Sequence, residues 1–469
     1  MINKKLPVAI GLIATTFIAI ADEETTKSYY GWTPSATITL ANDYIWRGVS
    51  QTSNGATIQG SFDMSHESGI YFGAWASNVE FGDTNNSMEL DLYAGFSNEI
   101  ELGGMALTYD IGFLHYEYPE ETGLNFNEIY FGLGISPFEN FNFSTYYYQD
   151  IGVESKPAIG YLDMSADYTL PDFLWNLQII AHGGHYWRRA GANDYWDWKV
   201  GLAKQLYGFG FEVAYVDTSG ADAGDLDDSR IYFGITRSFG DEAPSDTLPK
   251  GFDASASFAL TTDYIWRGIS QTNNAAAIQG SFDISHESGA YFGVWGSNVD
   301  FGDGGDPINP NNNSIELDIY AGFSRDIDLG GMTVTYDIGW LHYQYPLETD
   351  SLNFNEVYFG LALSPVENLN LSGYWYHDVS LENRVGIGYM DLAGDYTLPD
   401  WAWNTTIVSH VGYYPKHKGG GNDYWDWKLG VAKDIAGFNV EVAYTDTAGA
   451  EEFGDLGDAR AVATLSTTF

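Results

Sequence analysis

The chain has 469 residues, a formal net charge of −44, no cysteine, and 54 glycines, 34 tyrosines, 27 phenylalanines and 15 tryptophans. That charge excludes electrostatically driven binding to nucleic acid and peripheral attachment to anionic lipid, since both require clustered cations. Without cysteine there is no disulfide framework, so stability must come from closed hydrogen-bonded structure.

At the N-terminus, Lys4 and Lys5 precede an apolar run over residues 6–20 that ends in Ala19-Ile20-Ala21. A basic start, a short apolar stretch and a small-residue cleavage site predict an export leader over residues 1–21. The run is too short to span a bilayer as a helix, and nothing after it reaches the ~20 apolar residues a helix needs.

Residues 22–239 then lay out a programme that residues 254–469 repeat. ANDYIWRGVSQT at 41–52 returns as TTDYIWRGISQT at 261–272, and IQGSFDMSHESG at 58–69 as IQGSFDISHESG at 278–289. ELDLYAGFS, GYLD and NDYWDWK in the first copy also have their counterparts in the second. A pattern repeated over this length marks a unit built twice.

Within a copy, strict alternation dominates. Over residues 87–96, Met88, Leu90, Leu92, Ala94 and Phe96 share one face, while Glu89, Asp91, Tyr93 and Gly95 share the other. Residues 161–168 and 195–202 behave alike. Roughly twelve such segments per copy, each about ten residues long, are the trace of a transmembrane antiparallel β-barrel. A soluble β-sandwich also alternates, but the connections favour the barrel. Glu67-Ser68-Gly69 and residues 136–140, 170–173 and 206–208 are tight; 79–87, 117–125, 188–194 and 218–229 are long and polar. One short-turn rim and one long-loop rim is the outer-membrane arrangement, with the short turns in the periplasm. An even strand count puts both ends of each copy at the short-turn rim. The largest insertion in copy two, residues 302–313, falls in a long loop, where insertions are tolerated.

Aromatic residues near strand ends (Tyr44, Trp46, Trp196, Trp198, Tyr264, Trp266, Trp425 and Trp427) are expected to form interfacial girdles. Residues 240–253, GDEAPSDTLPKGFD, are too long and Pro-broken for a hairpin inside one sheet, and they read as a periplasmic linker. The expected fold is therefore all-β, with two tandem transmembrane barrels of about 12 strands each; one barrel of about 24 strands is the alternative.

Turning each polar face inward gives the first copy a lining of Asp43, Arg47, Asp63, Glu89, Asp91, Asp110, Glu128, Asp163, Asp167, Asp197, Lys199, Glu212 and Arg230. The second is lined by Asp263, Arg267, Asp283, Glu316, Asp318, Asp337, Glu356, Asp391, Asp395, Asp426, Lys428, Glu441 and Arg460. Asp43 with Arg47, and Asp197 with Lys199, are candidate ion pairs. Acids far outnumber these cations, and an ionised carboxylate in a dry interior is costly. The pattern therefore predicts a water-filled conduit that prefers cations.

Other chemistry is weaker. His66-Glu67-Ser68-Gly69 and its copy at residues 286–289 contain His, acid and Ser, but their side chains are expected to diverge at a turn, so no catalytic residue is assigned. The Asp-rich stretches 222–228, 300–306 and 451–458 lack EF-hand spacing and read as solvated loops. His182 with His185, and His410 with His417, lack a matched ligand set, so neither metal nor cofactor is expected. A barrel that never conducts, serving structure or adhesion, is the main functional alternative, and an outer-membrane hydrolase is the lesser one.

The shared motifs (DYIWRG-[VI]-SQT, IQGSFD followed by HESG-x-YFG, SN-[VIL] before a loop, and ELD-x-YAG) resemble the TorF-type porin family, also called Gcw_chp. The resemblance covers each copy nearly end to end. It implies an outer-membrane barrel and a pore of unestablished cargo; outer-membrane lipid and small hydrophilic solutes or cations are the partners expected from the apolar and acidic faces. Members usually resemble one copy, so the doubling is a departure from the family pattern.

Overall fold

Each alternating segment becomes a wall strand because only a closed sheet satisfies every backbone N–H and C=O without water at its edges. The computed structural model describes residues 29–81, 86–151, 158–188, 193–239, 248–301, 313–330, 332–346, 352–380, 388–415 and 423–469. The export leader at 1–21, residues 240–247 of the linker, residues 302–312 of the insertion, and His417 lie outside them.

The first sheet closes when the strand Trp32–Ala41 pairs with Thr57–His66 on one side and Arg230–Phe239 on the other. The second closes in the same way, with Phe252–Thr261 between Ala277–His286 and Arg460–Thr468. Both are antiparallel barrels of twelve strands. A single large barrel is excluded, because the strand that would have to join the second copy is already paired on both edges. The chain divides accordingly into units Met1–Thr247 and Leu248–Phe469.

Burial settles which face looks where. Leu92, Val200 and Leu202 are 45%, 51% and 46% exposed, whereas Glu89, Asp91 and Tyr93 are 1%, 0% and 6% exposed. Greasy side chains outside and acids inside invert the pattern of a water-soluble protein, and they suit a wall facing hydrocarbon. No helix among the described residues is long and apolar enough to cross a membrane, which has no bearing on crossing by strands.

The abundance of glycine and tyrosine has one structural cause. Inward tyrosines lie flat across glycines of a neighbouring strand, so a Cβ added at Gly112 would meet the Tyr130 ring at 2.3 Å, and one at Gly132 would meet Tyr146 at 2.2 Å. Gly339 with Tyr358 and Gly360 with Tyr374 repeat the arrangement. Ring over glycine fills the lumen while protecting bare backbone.

One tight connection is longer than its sequence suggests. The chain after Thr169 continues through Leu177, with a 3-10 turn at Asp172–Leu174. Pro171 has no N–H to extend the ladder, and Leu170 N instead donates to Leu177 O at 2.9 Å.

Candidate functional site: a hairpin and a phenol network inside each barrel

The DYIWRG motif does not form a wall strand or an interfacial girdle. Ile45–Trp46 and Val49–Ser50 pair as a miniature hairpin, joined by Arg47 and Gly48 at φ 49° and 82°. Two successive positive φ values define the tight turn that matches strand twist, and glycine takes the second at no steric cost. The hairpin sits in the first long loop and packs into the lumen. Trp46 meets Tyr116, Phe126 and Tyr186 edge-on at 6.2, 6.4 and 6.0 Å. Tyr44 is buried, and its hydroxyl donates to Glu89 Oε1 at 2.8 Å. Of the expected girdle, Trp196, Trp198, Trp425 and Trp427 are exposed on the outer face. Tyr44, Trp46, Tyr264 and Trp266 are interior instead, because the chain turns inward before reaching the next strand.

At the hairpin tip, Arg47 Nη2 donates to Glu128 Oε1 and Oε2 at 2.9 and 2.7 Å. The guanidinium lies over the Trp46 and Tyr161 rings at 4.3 and 4.4 Å, and the Tyr195 hydroxyl donates to Arg47 O at 3.0 Å. Burial alone would lower the Arg47 pKa, but Glu128 outweighs it and holds the group firmly charged. At the hairpin base, Asp43 accepts from Ser50 at 2.6 Å, Thr52 at 2.9 Å and Arg230 Nη1 at 2.7 Å. Burial still leaves the Asp43 carboxyl above its ordinary pKa. Arg230 also donates to the carbonyls of Asp225, Leu226 and Asp228, pinning the acidic loop with main-chain contacts. The second copy repeats the latch, with Arg267 to Glu356 at 2.6 Å and Arg460 to Asp263 at 2.8 Å.

The expected ion pairs are therefore replaced. Asp43 pairs with Arg230 rather than Arg47, and Lys199 pairs with Glu212 at 3.1 Å rather than with Asp197. Asp197 instead receives the Tyr161 hydroxyl at 3.0 Å and faces His182 Nε2 at 2.8 Å. At these positions the ionic partner comes from another strand, although a short hydroxyl such as Ser61 does reach Asp63 on its own strand at 2.6 Å.

Phenols supply most of the remaining donors. Tyr118 donates to Glu89 at 2.8 Å, Tyr116 to Glu128 at 3.0 Å, Tyr71 to Asp110 at 2.7 Å, and Tyr93 to Asp63. Asp167 accepts from Asn142 at 3.0 Å and Gln178 at 2.9 Å. Asp91 is fully buried, with no hydrogen-bond partner on either oxygen among the described residues. Glu89, Glu128 and Arg47 are the charges acting on it. Sequence reasoning misses the phenols and weighs His182 only as a metal ligand. For the phenols the signal is that Tyr93, Tyr161 and Tyr195 share a face with the acids.

The remaining motifs serve turns. Contrary to expectation, His66 and Ser68 do meet, with Nδ1 to Oγ at 2.8 Å. The same Nδ1 accepts the Ser68 backbone N–H at 3.1 Å, so the imidazole caps the corner in which Gly69 takes φ 97°.

In the second barrel, a cavity of about 490 Å³ occupies the short-turn end, with Thr335, Ser364, Asn370, Ser372 and Asp395 among its lining. These inward polar groups lie on the side opposite the hairpin.

No curated protein matches the chain. Among solved structures, the outer membrane protein OpdK of Pseudomonas aeruginosa aligns at 9% identity and a TM-score of 0.32, covering 93% of this chain and 98% of that one. The siderophore receptor PirA of the same organism aligns at 11% identity and a TM-score of 0.32, covering 95% and 81%. Likeness this slight decides nothing, and the fold rests on the registers given above. A family described as "Bacterial protein of unknown function (Gcw_chp)" matches residues 24–239 and again 246–469. The chain belongs to the Gcw_chp family, of which it carries two tandem copies.

Proposed function

We propose that the protein is an outer-membrane channel for small hydrophilic solutes, exported by its 1–21 leader. In this reading the linker at 240–253 lies in the periplasm, as do the short turns, and the inward acids favour cations. The observation that carries the reading is the combination of an apolar outer wall with a cavity of mixed lining, Asp395 included, opening at the short-turn end. Excess lumenal carboxylate supplies the cation preference, since rings of Asp and Glu attract cations. The hairpin closes the opposite end, so the resting conductance is small.

The first barrel supports a second reading, a barrel that does not conduct, because its lumenal tyrosines and acids are tightly buried. Planar-bilayer recording of the purified chain under a salt gradient separates the two. The channel reading expects discrete steps with a reversal potential on the cation side. Silence, or anion selectivity, would refute it.

A further inference from the structure

We infer that the two barrels have different openings: the second is the conduit, and Tyr232 seals the first. This rests on the channel reading and adds to it which lumen is used and what decides that. Beside the hairpin the two lumens are alike, with Glu89 and Glu316 both 1% exposed, but equivalent positions farther from it differ. The Lys199 and Glu212 side chains are 13% and 1% exposed, while Lys428 and Glu441 are 39% and 23% exposed. His182 and Asp163 are 7% and 8% exposed, against 20% and 29% for His410 and Asp391. Tyr71, Tyr93, Tyr130, Tyr146 and Tyr148 are buried; Tyr291, Tyr320, Tyr358, Tyr374 and Tyr376 are half-buried.

For the Lys199–Glu212 pair, the sequence difference beside it lies on the last wall strand. Tyr232 pairs with Ala214 and faces the first lumen; Val462 pairs with Ala443 in the same register of the second. The Tyr232 ring centroid is 5.8 Å from Lys199 Nζ. Its ring covers the Lys199–Glu212 pair, and the valine leaves the Lys428–Glu441 pair facing water. Asp395, inward on the neighbouring wall, lines the 490 Å³ cavity at the short-turn end of this barrel. A charged pair in contact with water can exchange partners with a passing solute, whereas one covered by a phenol ring cannot.

The test uses the absence of cysteine. Lys199→Cys or Lys428→Cys, each in the full chain reconstituted in vesicles, is exposed to a small charged thiol reagent that does not cross lipid. The position-428 thiol is expected to react faster by about an order of magnitude. Adding Tyr232→Val should bring the position-199 thiol up toward that rate, and adding Val462→Tyr should slow the position-428 thiol. Tyr232→Phe keeps the ring and should leave position 199 slow, which guards against a rate rise caused by misfolding. Equal rates at the two positions, or rates indifferent to the exchange, would overturn the inference. Bilayer recording of the same variants distinguishes the two claims. Val462→Tyr should cut the unit conductance by more than half. A protein that labels asymmetrically yet never conducts would retain the difference in opening and lose the channel.

Discussion

Replacing Arg47 by alanine is expected to destabilise the first barrel by about 3–5 kcal/mol, the usual cost of removing one partner of a buried ion pair. Glu128 loses both guanidinium bonds and keeps the Tyr116 hydroxyl. Glu89 and Asp91 lose the cation that offsets their charge. The hairpin also loses its tip contact with the wall. Urea unfolding in detergent micelles reads the stability change as a lower midpoint for one of two transitions. Arg47→Met combined with Glu128→Gln should recover most of the loss, because the uncompensated carboxylate is then gone. If Arg47→Ala unfolds at the wild-type midpoint, the hairpin is not held as described. Arg267 and Glu356 predict the same outcome for the second transition.

The second large effect concerns the outer wall. Val200 is half exposed on the outer face of the strand Tyr195–Leu206, well inside its ends. Val200→Arg places a guanidinium in hydrocarbon and is expected to cost about 2–4 kcal/mol, while Leu206→Arg at the strand end should cost only about 0–1 kcal/mol. Unfolding midpoints in lipid bilayers measure both. The depth dependence is what matters: a wall facing water would tolerate either change about equally.

The sequence makes the wall legible because alternation of period two permits one assignment of faces. Glu89 and Asp91 can only oppose Leu90 and Leu92, whatever the register. Closure into two barrels follows from a Pro-broken connector where a hairpin would be short. The interior is harder to read. Arg47 and Glu128 are 81 positions apart, and nothing local joins them until the register across the four intervening wall strands is known. Counting charges alone predicts unpaired acids, because it treats tyrosine as an apolar ring when each phenol also carries an O–H donor. The hairpin does leave a local mark, a Gly-containing dipeptide between Ile45–Trp46 and Val49–Ser50. It is masked by the expectation that a Tyr and a Trp near a strand end belong at the membrane surface.

The central claim is that the apolar faces contact lipid and the acidic faces do not. Its most direct measurement is the behaviour of the folded, leader-free chain on withdrawal of detergent, followed by density flotation with vesicles and by sedimentation. The account predicts aggregation in plain buffer and quantitative flotation when vesicles are supplied. A chain that keeps its β-structure, stays monodisperse in buffer and remains at the bottom of the gradient would contradict it.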